Sequence, residues 1–145
     1  MIALIQRVSE ASVEVEGTQA GSIGTGILAL IGIERDDNEA QCSQLIEKLL
    51  NYRIFEDEQR RMNRSLLDTQ GELLLVSQFT LAADTRKGTR PGFSRAAAPE
   101  IARPLFDRLV KLAHERVAVV QTGRFGADMQ VRLVNDGPVT FWLQA

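Results

Sequence analysis

The chain has 145 residues, 44% of them hydrophobic and 25% charged, and a formal net charge of −2. That balance fits one soluble domain, spanning residues 1–145, with enough chain to bury a sizeable core. It excludes a strongly basic, whole-surface nucleic-acid binder, so any RNA contact has to be local. Cys42 and His114 are the only residues of their types. No intrachain disulfide is possible, and one chain cannot build a thiolate/imidazole zinc site. Any Ser-His-Asp arrangement would have to use His114. Arg7 and Glu10 interrupt the apolar start and no small-residue cleavage pattern follows, so no targeting segment is read. The longest apolar run, Ile27 to Ile33, is far too short to span a bilayer. The expectation is a cytoplasmic protein without a membrane contact.

Ile2 to Val8 reads as a largely buried strand, and Ala11 to Glu16, with its period of two, as a separate half-buried one. Ala20 to Ile23 is predicted as a short return strand and Gly26 to Ile33 as a fully buried central strand. Asp36-Asp37-Asn38 offers N-cap chemistry to a helix whose Cys42, Leu45, Ile46, Leu49 and Leu50 recur with helical spacing. On that stripe Cys42 is core packing rather than a nucleophile. Tyr52 to Phe55 is a short strand candidate, and Glu56 to Arg64 is charged and irregular.

Glu72 to Phe79 reads as a buried strand that turns polar only at its C-terminal tip, where mixed folds often place sites. Ala82 to Ala96 is a long loop with Arg86, Lys87, Arg90 and Arg95 against one acid, Asp84. It is either a solvated loop or a phosphate-contacting patch. Pro99-Glu100 marks a helix start, with Ile101, Leu105, Leu109 and Leu112 as its apolar face. Pro104 should kink that helix or move its start to about Arg103. His114 near its end suits the helix dipole and reads as a surface residue. Arg116 to Gln121 and Met129 to Asn135 are predicted strands around a Thr122 to Gly126 turn. Asn135-Asp136-Gly137-Pro138 has the look of a hairpin turn, with Pro138 opening an edge strand. The order of elements implies an α+β domain: a curved, barrel-like mixed β-sheet flanked by two main helices.

Two stretches stand together at a telling order and spacing: Ser77-Gln78-Phe79-Thr80-Leu81 and Asn135-Asp136-Gly137-Pro138-Val139-Thr140. As a pair they resemble the D-aminoacyl-tRNA deacylase family, formerly called D-tyrosyl-tRNA deacylase. The resemblance runs over essentially the whole chain. It takes in Gln6-Arg7-Val8, Tyr52 to Phe55, Lys87 to Pro91 and Thr122 to Met129. It implies a homodimer with two active sites at the subunit interface. Each site would join Ser77 to Thr80 of one chain to a cis Gly137-Pro138 unit reaching over from the other. The implied substrate is tRNA charged with a D-amino acid, or glycyl-tRNA, and no metal or organic cofactor is implied. One departure stands out: the family's usual glycine-lysine pair before Met62-Asn63 is Arg60-Arg61 here. This puts the turn geometry there, and the local dimer packing, in question.

Ester hydrolysis needs a nucleophile, oxyanion stabilisation and a leaving ribose oxygen. The resemblance implies that backbone N–H groups of the Ser77-Gln78-Phe79-Thr80 segment, that of Phe79 first, are the oxyanion donors. Thr80 is the candidate nucleophile, but a hydroxyl needs an adjacent base, and neither motif contains a histidine or lysine. The alternative is water assisted by the vicinal ribose hydroxyl, with the protein supplying position. A third option is that Ser77 and Thr80 only bond backbone at a strand end. Carbonyls of Gly137-Pro138 would block the Cβ of an L-residue and spare glycine, which has none. Arg7 is expected to hold that turn through its carbonyls. Phe125 and Met129 line the pocket or the adenosine site, or else pack in the core. Arg86, Lys87 and Arg90 are the candidate tRNA contacts. Two rivals remain: a noncatalytic RNA-binding dimer module using those cations, and a general esterase using Thr80 or Ser77. Against the esterase stand the missing G-x-S-x-G elbow and the distance of His114.

Overall fold

The computed structural model describes residues 1–145. Its longest-reaching partner strand is β1, Ile2–Val15, on which three other strands assemble. The two strands expected over Ile2–Val8 and Ala11–Glu16 are therefore one. The chain stays extended through Ser9 and Glu10 because neighbours hold both its edges, and only the register slips there. Along one edge β3 (Gly26–Gly32) pairs with the first half of β1, and β2 (Thr18–Ile23) with the second half. Along the other edge β8 (Gln130–Gln144) runs antiparallel to nearly all of β1. Beyond β3 lie β6 (Glu72–Ser77) and β7 (Val120–Thr122), both parallel to their inner neighbour.

The mixed sheet curls until β2 faces β7. A Cβ on Gly21 would stand 2.8 Å from the carbonyl oxygen of Thr122, so glycine permits that approach. One sheet face carries Ala3, Ile5, Ile27, Ala29, Ile31, Leu73 and Leu75 under two long helices. The enclosed face packs Val8, Val13, Ile23, Leu28, Leu74 and Val76 in a second, smaller cluster. This is the expected α+β architecture with a barrel-like sheet.

The first helix, α1 (Glu39–Asn51), starts at a capping box. Asn38 Oδ1 accepts from Ala40 N at 2.8 Å, and Gln41 Oε1 accepts from Asn38 N at 3.0 Å. Its predicted stripe of Cys42, Leu45, Ile46, Leu49 and Leu50 is buried, each large apolar side chain contributing about 1.5–3 kcal/mol. The strand expected at Tyr52 starts later, because Tyr52 caps α1. β4 (Phe55–Glu56) and β5 (Met62–Arg64) form a small hairpin inside the stretch that reads as irregular. Asp57 organises it, accepting from the amides of Gln59 and Arg61 and from Asn63 Nδ2. Arg60 sits there at φ +60°, a left-handed conformation that a glycine adopts freely. A short helix, α2 (Leu66–Thr69), follows on a Ser65/Asp68 capping box that sequence reasoning missed.

The second long helix, α3 (Pro99–His114), begins at Pro99 and continues past Pro104 as one element, so its start does not move to Arg103. Glu100 and Pro104 both lie on its exposed side, where water replaces the lost backbone partner. Its buried face is Ala102, Phe106, Leu109 and Ala113, not the expected Ile101, Leu105, Leu109 and Leu112; Ile101 is exposed. The strand expected from Arg116 is delayed to Val120, since the amides of Arg116 and Val117 still bond back to Ala113 O.

The largest correction concerns the chain's last strands. Asn135-Asp136-Gly137-Pro138 does not reverse the chain. Val131 and Leu133 pair with Val13 and Ala11, and Thr140, Phe141 and Leu143 continue along the same strand opposite Gln6, Ile5 and Ala3. The segment is a bulge in β8, directly beside Arg7. No helix is long and apolar enough to cross a membrane.

Candidate active site

β6 ends at Ser77, earlier than the expected Phe79. Gln78 N still donates to Ile31 O at 2.7 Å, one last step of the parallel ladder. The chain then winds into a 3-10 turn, Phe79–Ala82, in which Leu81 N reaches back to Gln78 O at 3.3 Å. The leading N–H groups of such a turn, here those of Phe79 and Thr80, have no partner inside it.

A cavity of about 640 Å³ opens beside this tip. Ser77, Gln78 and Phe79 line it from β6 and the turn, Ala97, Ala98, Pro99 and Ala102 from the start of α3 and the residues before it, and Phe125 to Met129 from the turn before β8. The predicted residues Ser77, Gln78, Phe79, Phe125 and Met129 thus share one largely apolar space. Among the lining residues to which sequence reasoning gave no role, Phe93 and Asp128 stand out. Phe93 stacks on the exposed Phe79 with centroids 5.1 Å apart; its one signal was being the sole aromatic in a polar loop. Asp128 is the only ionisable side chain in the lining, and it is exposed.

Thr80 is placed differently. Its Oγ1 accepts from Gln78 Nε2 at 2.5 Å. It lines a second cavity of about 410 Å³ with Ile2, Leu81, Arg95 and Trp142. The 3-10 turn is the partition between the two spaces.

The other motif is held from inside. Arg7 is 7% exposed. Its Nη1 donates to Ile54 O at 2.8 Å and its Nε to Asp136 O at 3.0 Å, with the Asp136 carboxylate 3.5 Å away. One guanidinium therefore ties the bulge to the chain leading into β4. Asn135 closes the bulge, accepting from Val139 N at 3.0 Å and donating to Thr140 Oγ1 at 2.9 Å. Gly137 has φ +135°, and a Cβ there would stand 2.6 Å from Val139 Cγ2 and 3.1 Å from Arg7 Nη2. The Gly137–Pro138 peptide is cis, and Asp136, Gly137 and Pro138 face outward.

The two motifs do not meet within one chain. Arg7 pairs with Ile27 and Ile27 with Leu73, at the start of β6, whereas Ser77 lies four residues on from Leu73. At strand rise that is roughly 13 Å along the sheet.

Of the candidate tRNA contacts, Arg86 is engaged. It grips both carboxylate oxygens of Asp84 at 2.9 and 2.7 Å and holds that carboxyl well below the usual range. Lys87 and Arg90 are exposed on the same loop. The loop has a link of its own: Asp84 and Gly92 exchange two backbone hydrogen bonds. Cys42 is buried, its Sγ donating to Leu105 O at 3.4 Å. Burial, with Asp37 and Glu39 nearby, pushes its thiol up to about 11, as suits a packing residue. His114 is exposed at the end of α3 and lines neither cavity.

Known proteins match this chain along its whole length. A family profile described as D-Tyr-tRNA(Tyr) deacylase matches residues 4–144. A protein named D-aminoacyl-tRNA deacylase from Thioalkalivibrio sulfidiphilus (strain HL-EbGR7) is 64% identical over 99% of this chain and 97% of its own. One of the same name from Pseudomonas aeruginosa (strain LESB58) is 60% identical over 100% of both. Among solved structures, one named c-Myc DNA Unwinding Element Binding Protein superposes with a TM-score of 0.95 at 40% identity, covering 100% of this chain and 99% of that one. A second, described as a probable eukaryotic D-amino acid tRNA deacylase, has a TM-score of 0.88 over 99% of this chain and 98% of that one; at 18% identity it speaks to the fold alone.

Proposed function

The chain belongs to the D-Tyr-tRNA(Tyr) deacylase family, and on that premise we propose that it hydrolyses the ester joining a D-amino acid to tRNA, releasing free tRNA and the amino acid. The observation that carries this reading is the full-length match to proteins named for that reaction. The cavity beside Ser77, Gln78 and Phe79 supports it with a space for the aminoacyl end.

In the proposed mechanism a water oxygen attacks the ester carbonyl carbon. The developing oxyanion is met by the N–H groups of Phe79 and Thr80, fixed donors that need no reorganisation. The bond from carbonyl carbon to ribose oxygen then breaks, and the water's proton passes to the leaving oxygen by way of the vicinal ribose hydroxyl. Thr80 contributes its backbone rather than a nucleophile. Its hydroxyl is occupied by Gln78 and turned toward the smaller cavity, which supports this assignment. No metal or organic cofactor enters the scheme.

The active unit is proposed to be a homodimer. The roughly 13 Å between the motifs along one sheet supports a site completed by the Gly137-Pro138 bulge of a second copy. There its carbonyls reject an L-residue by its Cβ, while D-residues and glycine pass, so glycyl-tRNA is also a substrate. Lys87 and Arg90 are the proposed phosphate contacts, with Arg86 available only if Asp84 releases it. Such an enzyme would work in the cytoplasm, where tRNA is charged.

The deciding experiment compares deacylation of matched D- and L-tyrosyl-tRNA; equal rates, or none on the D-form, overturn the reading. The shared site is tested by mixing Phe79→Pro, which should be inactive, with Pro138→Ala, which should cleave D- and L-tyrosyl-tRNA alike. Random pairing puts half of the cleaving sites under an intact filter, so cleavage of the L-form should fall about two-fold on mixing while that of the D-form holds; no change in the L-rate refutes a shared site. A noncatalytic nucleic-acid-binding reading draws on the name carried by the similar solved structure, and salt-sensitive RNA binding without turnover would favour it.

A further inference from the structure

Phe125 forms one wall of the larger cavity, on the turn between β7 and β8. That turn is tied down at its start by Gly123 N on Leu75 O and internally by Ala127 N on Arg124 O. Between those ties α3 holds the wall. From below, the buried Phe106 packs its ring 6.0 Å from that of Phe125. From the solvent side, the guanidinium of Arg103 lies 4.9 Å from the Phe125 ring centroid, and Arg103 Nη2 donates to Phe125 O at 3.4 Å. Arg103 follows directly on Ala102, which lines the same cavity. The side chain thus grips the ring and the carbonyl of one wall residue from outside, without entering the space.

A planar guanidinium suits both tasks, stacking on an aromatic face while its N–H groups reach in the plane. Although Glu100 and Asp107 share its helix, Arg103 makes no ion pair with either; both its contacts are to Phe125. We propose that Arg103 is a positioning residue that sets the Phe125 wall of the substrate cavity and so tunes substrate binding rather than bond cleavage. This rests on the deacylase reading for its kinetic arm only.

The test is a double-mutant cycle. Arg103→Ala should raise KM for D-tyrosyl-tRNA about three- to five-fold, the scale of an exposed cation–π contact. The value of kcat should stay within about two-fold. In a Phe125→Leu background the same substitution should change KM by less than about 1.5-fold, because nothing remains to be held. Arg103→Met, which keeps the packed methylenes, should behave as Arg103→Ala, and Arg103→Lys should recover part of the loss. An equal effect in both backgrounds, no effect on KM, or a loss confined to kcat overturns the proposal. Amide exchange at Phe125, Gly126 and Ala127 gives a readout that needs no activity: it should be faster in Arg103→Ala than in wild type, and unchanged exchange refutes the clamp. An inactive wild type with the expected exchange would instead sink the deacylase reading alone.

Discussion

Replacing Arg7 by alanine removes the one side chain that holds the Gly137-Pro138 bulge from within. Two charge-assisted hydrogen bonds are lost, at 2.8 and 3.0 Å, each worth about 1.5–3 kcal/mol. They are not equal. The bond to Ile54 O is buried, so that carbonyl is left without a partner. The bond to Asp136 O is at an exposed bulge, where water takes over part of the role; the Asp136 side chain is 58% exposed. Taking the middle of the range for the first and the bottom for the second gives roughly 3–4 kcal/mol. For a domain of this size that lowers Tm by roughly 6–16 °C. The Asp136 share, about 1.5 kcal/mol, is what holds the bulge in its working arrangement, so kcat/KM for D-tyrosyl-tRNA should fall about ten-fold. Discrimination against L-tyrosyl-tRNA should narrow with it. Arg7→Lys can satisfy one carbonyl but not both in a fixed fork, and should fall between. The assay pairs urea and thermal unfolding with deacylation of matched D- and L-substrates. A variant that melts like wild type refutes the energetic argument, and one that melts lower with unchanged rate and chirality refutes the link to the site.

Thr80→Ala and Asp128→Asn should each keep single-turnover cleavage within about three-fold of wild type, since the proposed mechanism makes neither the nucleophile nor its base; a thousand-fold loss, by rough scale, in either would assign it that role. Gly137→Ala places a Cβ 2.6 Å from Val139 Cγ2 at φ +135°; about 1–3 kcal/mol of stability should go, together with D/L selectivity, and an unaltered melting curve would contradict the crowding. Cys42, with its thiol pushed up to about 11 from 9.0, binds its proton more tightly folded than unfolded. Its contribution to stability is therefore complete below pH 9.0 and fades as the pH climbs to about 11; native-state labelling at about pH 8 should be slow, and fast labelling would disprove the burial. Arg60→Gly relieves a left-handed residue at φ +60°; the gain, net of glycine's entropy, should be about 0.5–1 kcal/mol in urea unfolding, and a loss would show that the arginine side chain makes up for its backbone.

The elements that the sequence made legible are those set by local periodicity. The α1 stripe from Cys42 to Leu50 and the Asn38 cap needed no partner to be read. The failures share a cause in long-range pairing. Asp136-Gly137 between two apolar runs carries a hairpin's local signal, yet both runs pair with β1, which is long enough to take them in series. The same long strand erased the predicted break at Ser9-Glu10. On α3, bulk misled: Ala102 and Ala113 are buried because small residues allow close packing, while Ile101 is turned outward. The members of the candidate site were legible as motifs. That Ser77, Gln78 and Phe79 share a cavity with Phe125 and Met129, and that Thr80 faces another, depends on a 3-10 turn that no periodicity signals.

The sheet also bears on how a chain with one distant histidine can be an enzyme. An apolar cavity with a single exposed carboxylate at its edge is poor ground for acid–base catalysis but good ground for fixed dipoles, which act more strongly where water is scarce. An aminoacyl ester already carries a hydroxyl beside its leaving oxygen, so position is the larger part of what the protein has to add. The harder task is selectivity, because L- and D-esters are equally reactive and differ only in where one carbon projects. The proposed filter, built of backbone, answers it, since the carbonyls of a bulge held by Arg7 and Asn135 would block by placement and be indifferent to the side chain being presented. The bulge lies four residues along the sheet from the proposed oxyanion donors, which removes it from its own chain's cavity. In the proposed dimer every cavity that can cleave is thereby paired with the partner copy's filter.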